Sequence, residues 1–218
     1  MLIAVTGAAG HVGENLVREL ASRGQQVRAV IHRTPIQFQN QLVDTVMADV
    51  IDLDSLKRAF SGVDVVYHLA TCIPFAQKPH QEVAAVNVEG TRNVVRACRE
   101  MRVRRLIHFS SIHAFSHMPV GEPVTETRRL VRDDEGFLYD RTKAAAERAV
   151  LEGAERGLDA VIVNPTAILG PHDFRPSAMV ATGAIWSQPG PSKHKTGTVV
   201  SGADSAHFSL DLLNCHWL

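Results

Sequence analysis

Tyr139 and Lys143 are the residues whose types and spacing point most directly to chemistry. They stand four positions apart in a predicted helix, so both side chains lie on one helix face. A phenol with a pKa of about 10 is a poor base at neutral pH, but a neighbouring ammonium stabilises the phenolate and lowers that pKa. The chain has two tyrosines, and Tyr67 falls inside a predicted buried strand. Tyr139 is therefore predicted to exchange a proton with a substrate oxygen.

A hydroxyl group is expected close to this pair. Phe109-Ser110-Ser111 closes a predicted strand, and open α/β sheets bind their ligands at the carboxyl ends of the strands. A serine there can orient the oxygen that exchanges the proton. Taken alone, a tyrosine and a lysine four residues apart would also fit a surface pair worth roughly a few tenths of a kcal/mol.

A glycine-rich turn, residues 6–13, lies between the first predicted strand and the first predicted helix. Gly7 permits a tight turn, Gly10 lets the backbone approach a pyrophosphate, and Gly13 allows the helix to pack closely on the sheet. The helix N-terminus adds free N–H groups and a positive dipole end. We therefore predict a dinucleotide site, the alternative being a tight turn without a ligand. The predicted contacts are Gly7, Ala9, Gly10, His11, Val12 and Gly13.

The end of the second predicted strand bears on which dinucleotide is bound. An acidic residue about 20 positions beyond the glycine turn accepts from the ribose 2′-OH of NAD, whereas an arginine favours the 2′-phosphate of NADP. Arg33 occupies this position. Because a guanidinium pairs well with phosphate, NADP is preferred and NAD is the alternative. Arg33 would look the same if it were only a solvated strand end.

Apolar runs alternate with helical periodicities along the chain. Strands separated by helices of the observed length pair in parallel through right-handed crossovers. The predicted fold class is therefore α/β, a Rossmann-type doubly wound parallel sheet with helices on both faces. Strands are predicted at residues 2–5, 26–31, 42–47, 63–69, 104–109 and 160–163, and helices at residues 11–23, 52–60, 81–101 and 138–156.

Composition changes towards the end of the chain. Residues 1–172 are predicted to form an NAD(P)-binding domain that includes the catalytic residues. Residues 187–206 are rich in Gly, Pro, Ser, Thr and Lys and show no sustained periodicity. Residues 173–218 are therefore expected to be an incomplete or divergent start of a substrate lobe, or a tail.

Together these motifs resemble the extended short-chain dehydrogenase/reductase family. Within it the sequence is most similar to dihydroflavonol reductase-like proteins of the NAD-dependent epimerase/dehydratase group. The resemblance covers most of residues 1–172. Besides the glycine turn, it rests on His68-Leu69-Ala70, Asn87-Val88-Glu89-Gly90-Thr91, Ser110-Ser111, Tyr139 to Lys143 with Glu147, and Asn164-Pro165-Thr166 through Gly170-Pro171.

The resemblance implies specific roles for several residues. It selects Ser111 over Ser110 as the catalytic serine, and it implies that Lys143 also reaches the nicotinamide ribose. Asp49 matches the position that hydrogen-bonds the adenine, although a helix-capping aspartate would look the same. Asn87 is equally consistent with a purely structural role. The further cofactor contacts that the resemblance implies are Val50, Leu69, Ala70, Thr71, Asn87, Pro165 and Ile168.

The expected activity is that of an NAD(P)-dependent oxidoreductase that interconverts a carbonyl and a secondary alcohol. The alternatives are a nucleotide-sugar epimerase or dehydratase, and a non-catalytic dinucleotide-binding protein. Substrates are accordingly expected to be small carbonyl compounds, alcohols or nucleotide sugars. The resemblance also makes a homodimer plausible, through the helices predicted at residues 81–101 and 138–156.

Charge and cysteine content limit the partners and the cellular compartment expected for this protein. Lys plus Arg and Asp plus Glu both number 23, so no strong field is present to hold nucleic acid or an anionic membrane surface. The three cysteines are widely spaced without a C-x-x-C pair, and no run approaches the length of a membrane span. A reduced, cytoplasmic protein is expected.

Eleven histidines raise the question of a metal site. His108 falls in a predicted strand, and His113 and His117 fall in the following predicted loop. No carboxylate or cysteine stands at a spacing that would complete a ligand set with them. No metal is therefore expected, and His113 could instead face the substrate.

Overall fold

The computed structural model describes residues 1–73, 79–166 and 168. A six-stranded sheet forms its centre, and all neighbouring strands are parallel. This confirms the predicted Rossmann-type fold class. The strands are β1 (Leu2–Thr6), β2 (Gln26–Ile31), β3 (Val43–Met47), β4 (Val65–His68), β5 (Arg105–Phe109) and β6 (Ala160–Val163), in the spatial order β3-β2-β1-β4-β5-β6.

Helices cover both faces of this sheet. On one face, α1 buries Leu16, Val17 and Leu20 against the strands. The other face is covered by α2, α4 and α5, which contribute Leu56, Val94 and Val150 to a second apolar cluster. The helices are α1 (His11–Ser22), α2 (Leu53–Ala59), α3 (His80–Ala84), α4 (Gly90–Glu100) and α5 (Leu138–Glu155).

The strand order places the ligand crevice. The chain runs outward from β1 to β3, then returns to β4 on the opposite side of β1. Connections leaving β1 and β4 therefore diverge, and a crevice opens at the carboxyl ends of these two strands. The glycine turn follows β1, and the segment after β4 begins at Leu69. Both lie at this crevice.

The helix predicted over residues 81–101 is wrong in one respect, because it is not a single α-helix. A π-helical turn, Ala85–Glu89, separates α3 from α4. Asn87 lies within this turn and makes hydrogen bonds to neighbouring elements. Gly90 begins α4, and a Cβ there would be 2.7 Å from Val50 Cγ2. Apolar periodicity could not reveal this turn, because the contacts that Asn87 and Gly90 make with distant segments leave no local pattern.

The remaining predicted elements are present, with ends that shift by one or two residues. A short 3-10 turn, Ile112–Ala114, lies where the sequence predicted only a loop. Among the described residues, no helix is both long enough and apolar enough to cross a membrane. Residues 173–218, predicted as a tail or incomplete lobe, lie outside the described residues.

Candidate active site

The glycine turn has the geometry that a bound pyrophosphate needs. Gly7 has φ +69°, and a Cβ there would meet Ala70 N at 2.7 Å. A Cβ on Gly13 would be 2.1 Å from Gly7 O, so α1 packs against the turn itself. Gly10 is exposed, and apart from Gly7 O at 3.2 Å a Cβ there would meet open space. The N-cap residue Gly10 also supplies no side-chain acceptor to the first turn of α1. The turn therefore fits a phosphate group.

A hydrogen-bond chain runs behind the glycine turn to the π-helical turn. Thr6 Oγ1 lies 2.8 Å from His68 Nδ1, and His68 Nε2 lies 3.0 Å from Thr91 Oγ1. The Thr91 hydroxyl donates to Asn87 O at 2.7 Å, so it accepts from the ring. His68 is therefore assigned the Nε2–H tautomer, with Nδ1 accepting from Thr6. Ala70 N donates to Thr6 Oγ1 at 3.4 Å, which ties the segment after β4 to the same chain.

The two buried histidines of this region are neutral. Burial, together with a smaller effect of the Lys143 ammonium, lowers the pKa of His68 to about 3. His108 lies opposite His68 in the register of β4 and β5, with ring centres 5.3 Å apart. Burial is also the main cause that holds the pKa of His108 well below its ordinary value. Neither imidazole is thus a source of positive charge near neutral pH.

Tyr139 and Lys143 lie on the same side of α5. Lys143 Nζ is 5.9 Å from the centre of the Tyr139 ring and donates to Phe109 O at 3.0 Å. Lys143 is 4% exposed, and burial lowers its pKa to about 8, opposed by the Glu147 carboxylate. The amine is therefore held at the carboxyl end of β5, next to the crevice.

The pKa of Tyr139 differs from the expectation. Burial raises it, a hydrogen bond with the Ser111 side chain opposes the rise, and the Asp140 carboxylate adds to it. The prediction that the Lys143 ammonium lowers this pKa is therefore wrong for the described chain. The reason is that burial outweighs every other cause, while the amine is directed to a carbonyl oxygen. Tyr139 is consequently a protonated phenol at neutral pH.

Two adjacent serines take different partners. Ser110 Oγ donates to Glu147 Oε2 at 2.6 Å in the buried interior. Ser111 Oγ accepts from His113 N at 3.2 Å, which leaves its hydrogen free to donate. Asn164 Nδ2 bridges Glu147 Oε2 at 2.8 Å and Ser111 O at 3.2 Å. The Ser110 hydroxyl is thus used within the fold, while Ser111 faces Tyr139.

Asn87 uses its whole amide within the protein. Its Oδ1 accepts from Cys72 N at 2.7 Å and from Thr71 Oγ1 at 3.1 Å. Its Nδ2 donates to Cys72 O at 2.9 Å and to Thr142 Oγ1 at 3.1 Å. These bonds fasten the segment after β4 to α5. Asn87 therefore has a supporting role in the fold, and its contact with a cofactor stays a prediction.

Arg33 and Asp49 follow neighbouring strands. Arg33 is exposed, and no ion pair joins its guanidinium to another described residue. Asp49 Oδ2 lies 3.1 Å from His32 Nε2, and Oδ1 accepts from Ile51 N at 3.1 Å. The N-cap of α2 is Asp52, which removes the helix-capping explanation for Asp49.

Some of the other predicted cofactor contacts lie at the crevice, and others lie in the structure that supports it. Leu69, Ala70 and Thr71 follow β4 directly, beside the glycine turn. Val50 is buried against Gly90, and Pro165 O accepts from Ile112 N at 3.0 Å. Ile168 is partly buried. Gly170 and Pro171, quoted for the resemblance, lie outside the described residues.

Two supporting residues had no predicted role. Glu147 follows Lys143 by four positions, so helical spacing could have identified it as facing the same groups. The His68 bonds join three elements, and no local spacing signals them. Sequence reasoning therefore found the groups at the crevice more readily than the groups that hold them.

Comparison with known proteins agrees with this geometry. The model of the NAD dependent epimerase/dehydratase family matches residues 3–185. Sterol demethylase protein B from Methylococcus capsulatus is 41% identical over 184 residues, which are 84% of this chain and 56% of that protein. A putative dihydroflavonol 4-reductase from Synechocystis is 34% identical over 175 residues, 79% of this chain and 51% of that protein.

Solved structures show the same relationship. The crystal structure of a short-chain dehydrogenase/reductase superfamily protein from Agrobacterium tumefaciens, with bound NAD, superposes with a TM-score of 0.68 at 31% identity. The match covers 75% of this chain and 48% of that protein. The present chain thus spans about half the length of the relatives it matches.

Proposed function

We propose that this chain, which belongs to the NAD-dependent epimerase/dehydratase family, interconverts a carbonyl group and a secondary alcohol with a nicotinamide dinucleotide. One observation carries the proposal. The phenol of Tyr139 is hydrogen-bonded to the Ser111 side chain, and the amine of Lys143 lies 5.9 Å from the centre of its ring, at the carboxyl end of β5. The similarity to a putative dihydroflavonol 4-reductase also supports a reductase.

Tyr139 is in the protonation state that carbonyl reduction requires. Its phenol holds a proton at neutral pH that it can donate to a substrate oxygen as the carbonyl becomes an alcohol. Ser111 can donate a second hydrogen bond to that oxygen and so orient it. The bound coenzyme would supply the hydride.

Lys143 is proposed to return the proton to Tyr139. With a pKa lowered to about 8, its amine can give up a proton close to neutral pH. Its bond to Phe109 O keeps the amine in place on the Tyr139 side of α5. Glu147 lies beyond it, where its carboxylate favours the charged amine.

The decisive experiment removes one hydroxyl at a time from the two tyrosines. Purified protein is incubated with NADPH and a panel of aldehydes and ketones, and NADPH oxidation is followed. Tyr139→Phe should lower turnover by roughly 10²- to 10⁴-fold, the usual contribution of a general acid. Tyr67→Phe is the matched control, because its hydroxyl is buried in the core, and this variant should keep full turnover.

Two outcomes would contradict the proposal. Turnover unaffected by Tyr139→Phe would remove the phenol from the mechanism. Coenzyme that copurifies tightly, with no net NADPH oxidation on any carbonyl, would instead indicate an internal oxidation and reduction cycle of the kind used by epimerases and dehydratases.

NADP is the proposed coenzyme, supported by the exposed guanidinium of Arg33 after β2. A hydrogen bond to a charged group contributes about 1.5–3 kcal/mol, so Arg33→Ala should raise the KM for NADPH by roughly 10- to 100-fold. The KM for NADH should change little. Arg58→Ala, an exposed arginine on α2, is the control. Equal effects of Arg33→Ala on both coenzymes would contradict NADP preference.

The proposal also covers the cellular compartment and the oligomeric state of the protein. The three widely spaced cysteines, which form no C-x-x-C pair, support a reducing compartment, such as the cytoplasm. A homodimer is proposed through α4 and α5, and native mass spectrometry would report both the oligomeric state and any retained coenzyme.

A further inference from the structure

Two imidazoles and a carboxylate converge beside Tyr139, outside the catalytic set. His113 Nδ1 lies 3.3 Å from Asp140 Oδ1, and His117 Nε2 lies 3.4 Å from Asp140 Oδ2. One nitrogen from each ring and a carboxylate oxygen all lie within 4.8 Å of one another. The His113 ring centre is 6.0 Å from the centre of the Tyr139 ring. The cluster is thus at the edge of the proposed reaction site.

The separations suit metal ligands better than hydrogen-bond partners. Charge-assisted N–H···O bonds are typically about 2.7–2.9 Å long, and both contacts with Asp140 are longer. Ligands about 2.0–2.1 Å from a tetrahedral zinc ion are roughly 3.3–3.4 Å apart. Each ring nitrogen lies at that spacing from one Asp140 oxygen, His113 from Oδ1 and His117 from Oδ2, and the three ligand atoms lie within 4.8 Å of one another. Two histidines and one carboxylate are also a known ligand set of zinc sites that keep a position open.

The carboxylate is fixed in place before any ion arrives. The side chain of Asp140 is 3% exposed, and its Oδ2 accepts from Phe137 N at 3.1 Å in the first turn of α5. Such a supporting bond orients a ligand carboxylate. The rings are accessible, since the side chains of His113 and His117 are 43% and 56% exposed. An ion can therefore approach from solvent and meet an oriented anionic ligand.

A recess adjoins the open side of the cluster. Its volume is about 300 Å³, and its lining includes Ser116, Met118, Val131 and Phe137 besides His117 and Asp140. This space can hold the water or oxygen ligand that completes the coordination of an ion with three protein ligands.

We propose that His113, His117 and Asp140 bind a divalent transition-metal ion of the Zn²⁺ class, with one coordination position open to the recess. This replaces the expectation of no metal. That expectation rested on the absence of a carboxylate at a suitable spacing, whereas the fold brings Asp140 to the histidines from α5. The inference does not depend on the proposed oxidoreductase activity, because metal binding is measured directly.

The test uses the full chain without an affinity tag, freed of metal with a chelator. Zn²⁺ is titrated by calorimetry, and Co²⁺ is titrated by its visible absorption, which is intense for tetrahedral coordination. One ion per chain is expected, with a tetrahedral Co²⁺ spectrum. His117→Gln should weaken binding by more than about 10-fold, since loss of a supporting partner alone costs that much. His80→Gln, an exposed histidine elsewhere, is the matched control and should bind normally.

Asp140 also caps α5, so its substitution could act through folding. The double variant His113→Gln/His117→Gln avoids this, because it leaves the capping carboxylate intact, and it should abolish the Co²⁺ spectrum while thermal unfolding stays cooperative. Zn²⁺ affinity that is equal in the double variant and the wild type would overturn the proposal. So would the absence of any binding, which would leave the cluster as an ordinary ion pair.

Discussion

The two faces of the sheet are built differently. The face covered by α1 is apolar throughout its buried cluster, in which Ile3, Val5 and Tyr67 pack against Leu16 and Leu20. The face covered by α2, α4 and α5 is equally apolar away from the crevice. Near the carboxyl ends of the strands, however, that second face holds Thr6, His68, His108, Lys143 and Glu147, all less than 10% exposed.

Strand register explains why the polar groups share one face. Thr6 is paired with His68, and His68 with His108, so one row crosses three strands on the side of α4 and α5. Buried polar groups are costly unless they are bonded. His68 is bonded to Thr6 and Thr91, whereas the two ring nitrogens of His108 have no partner among the described residues. The contrast teaches that buried polarity is concentrated on the face beneath the proposed catalytic helix, while the α1 side buries few polar groups, among them Glu14 and the Tyr67 hydroxyl.

The largest expected change in the free energy of unfolding comes from a truncation in the apolar face. Leu20 is fully buried under α1, and Leu20→Ala should lower the free energy of unfolding by about 2–5 kcal/mol. Leu151→Ala, on the exposed side of α5, should change it by less than about 0.5 kcal/mol. Urea unfolding followed by circular dichroism measures both. Equal effects at the two leucines would contradict the assigned core.

The second prediction concerns the buried cation of the polar face. The pKa of Lys143 is about 8 in the fold, below its ordinary value of about 10.4. Between these values the unfolded chain binds more protons, so the contribution of Lys143 to stability rises with pH. Lys143→Met removes this dependence. At pH 7 the variant should have the higher free energy of unfolding, because it lacks the desolvated charge. The difference between the variant and the wild type should shrink by about 2 kcal/mol between pH 7 and pH 9.5.

Comparing the two proteins at each pH cancels the titration of every other group. Urea unfolding of both at several pH values provides the measurement. A difference that stays constant with pH would mean that Lys143 is not charged and desolvated as described.

The smallest expected effect compares one hydroxyl on each face. The Tyr67 hydroxyl is buried without a partner among the described residues, and burial raises its pKa to about 12. Tyr67→Phe should therefore raise stability by about 1 kcal/mol. Thr91→Val on the opposite face leaves His68 Nε2 without its acceptor, and should lower stability by about 1–3 kcal/mol. Changes of the same sign would refute the contrast.

The local sequence pattern was sufficient to predict the sheet, because buried parallel strands are short apolar runs that glycine turns and helices interrupt. It was also sufficient to place Tyr139 and Lys143 on one face, since they are one helical turn apart. It failed for Asp140, whose meeting with His113 depends on how α5 packs. It also failed for the pKa of Tyr139, which depends on burial, a property of the whole fold.

The direction of the bonds through His68 has a consequence for proton movement. Thr6, His68 and Thr91 each pass their one available hydrogen onward, and the series ends at a carbonyl, Asn87 O. Reversing its polarity would require a hydrogen that the terminal oxygen does not have. The His68 imidazole therefore supports the fold and does not relay protons along this series of bonds, which leaves proton transfer in the proposed reaction to Tyr139 and Lys143.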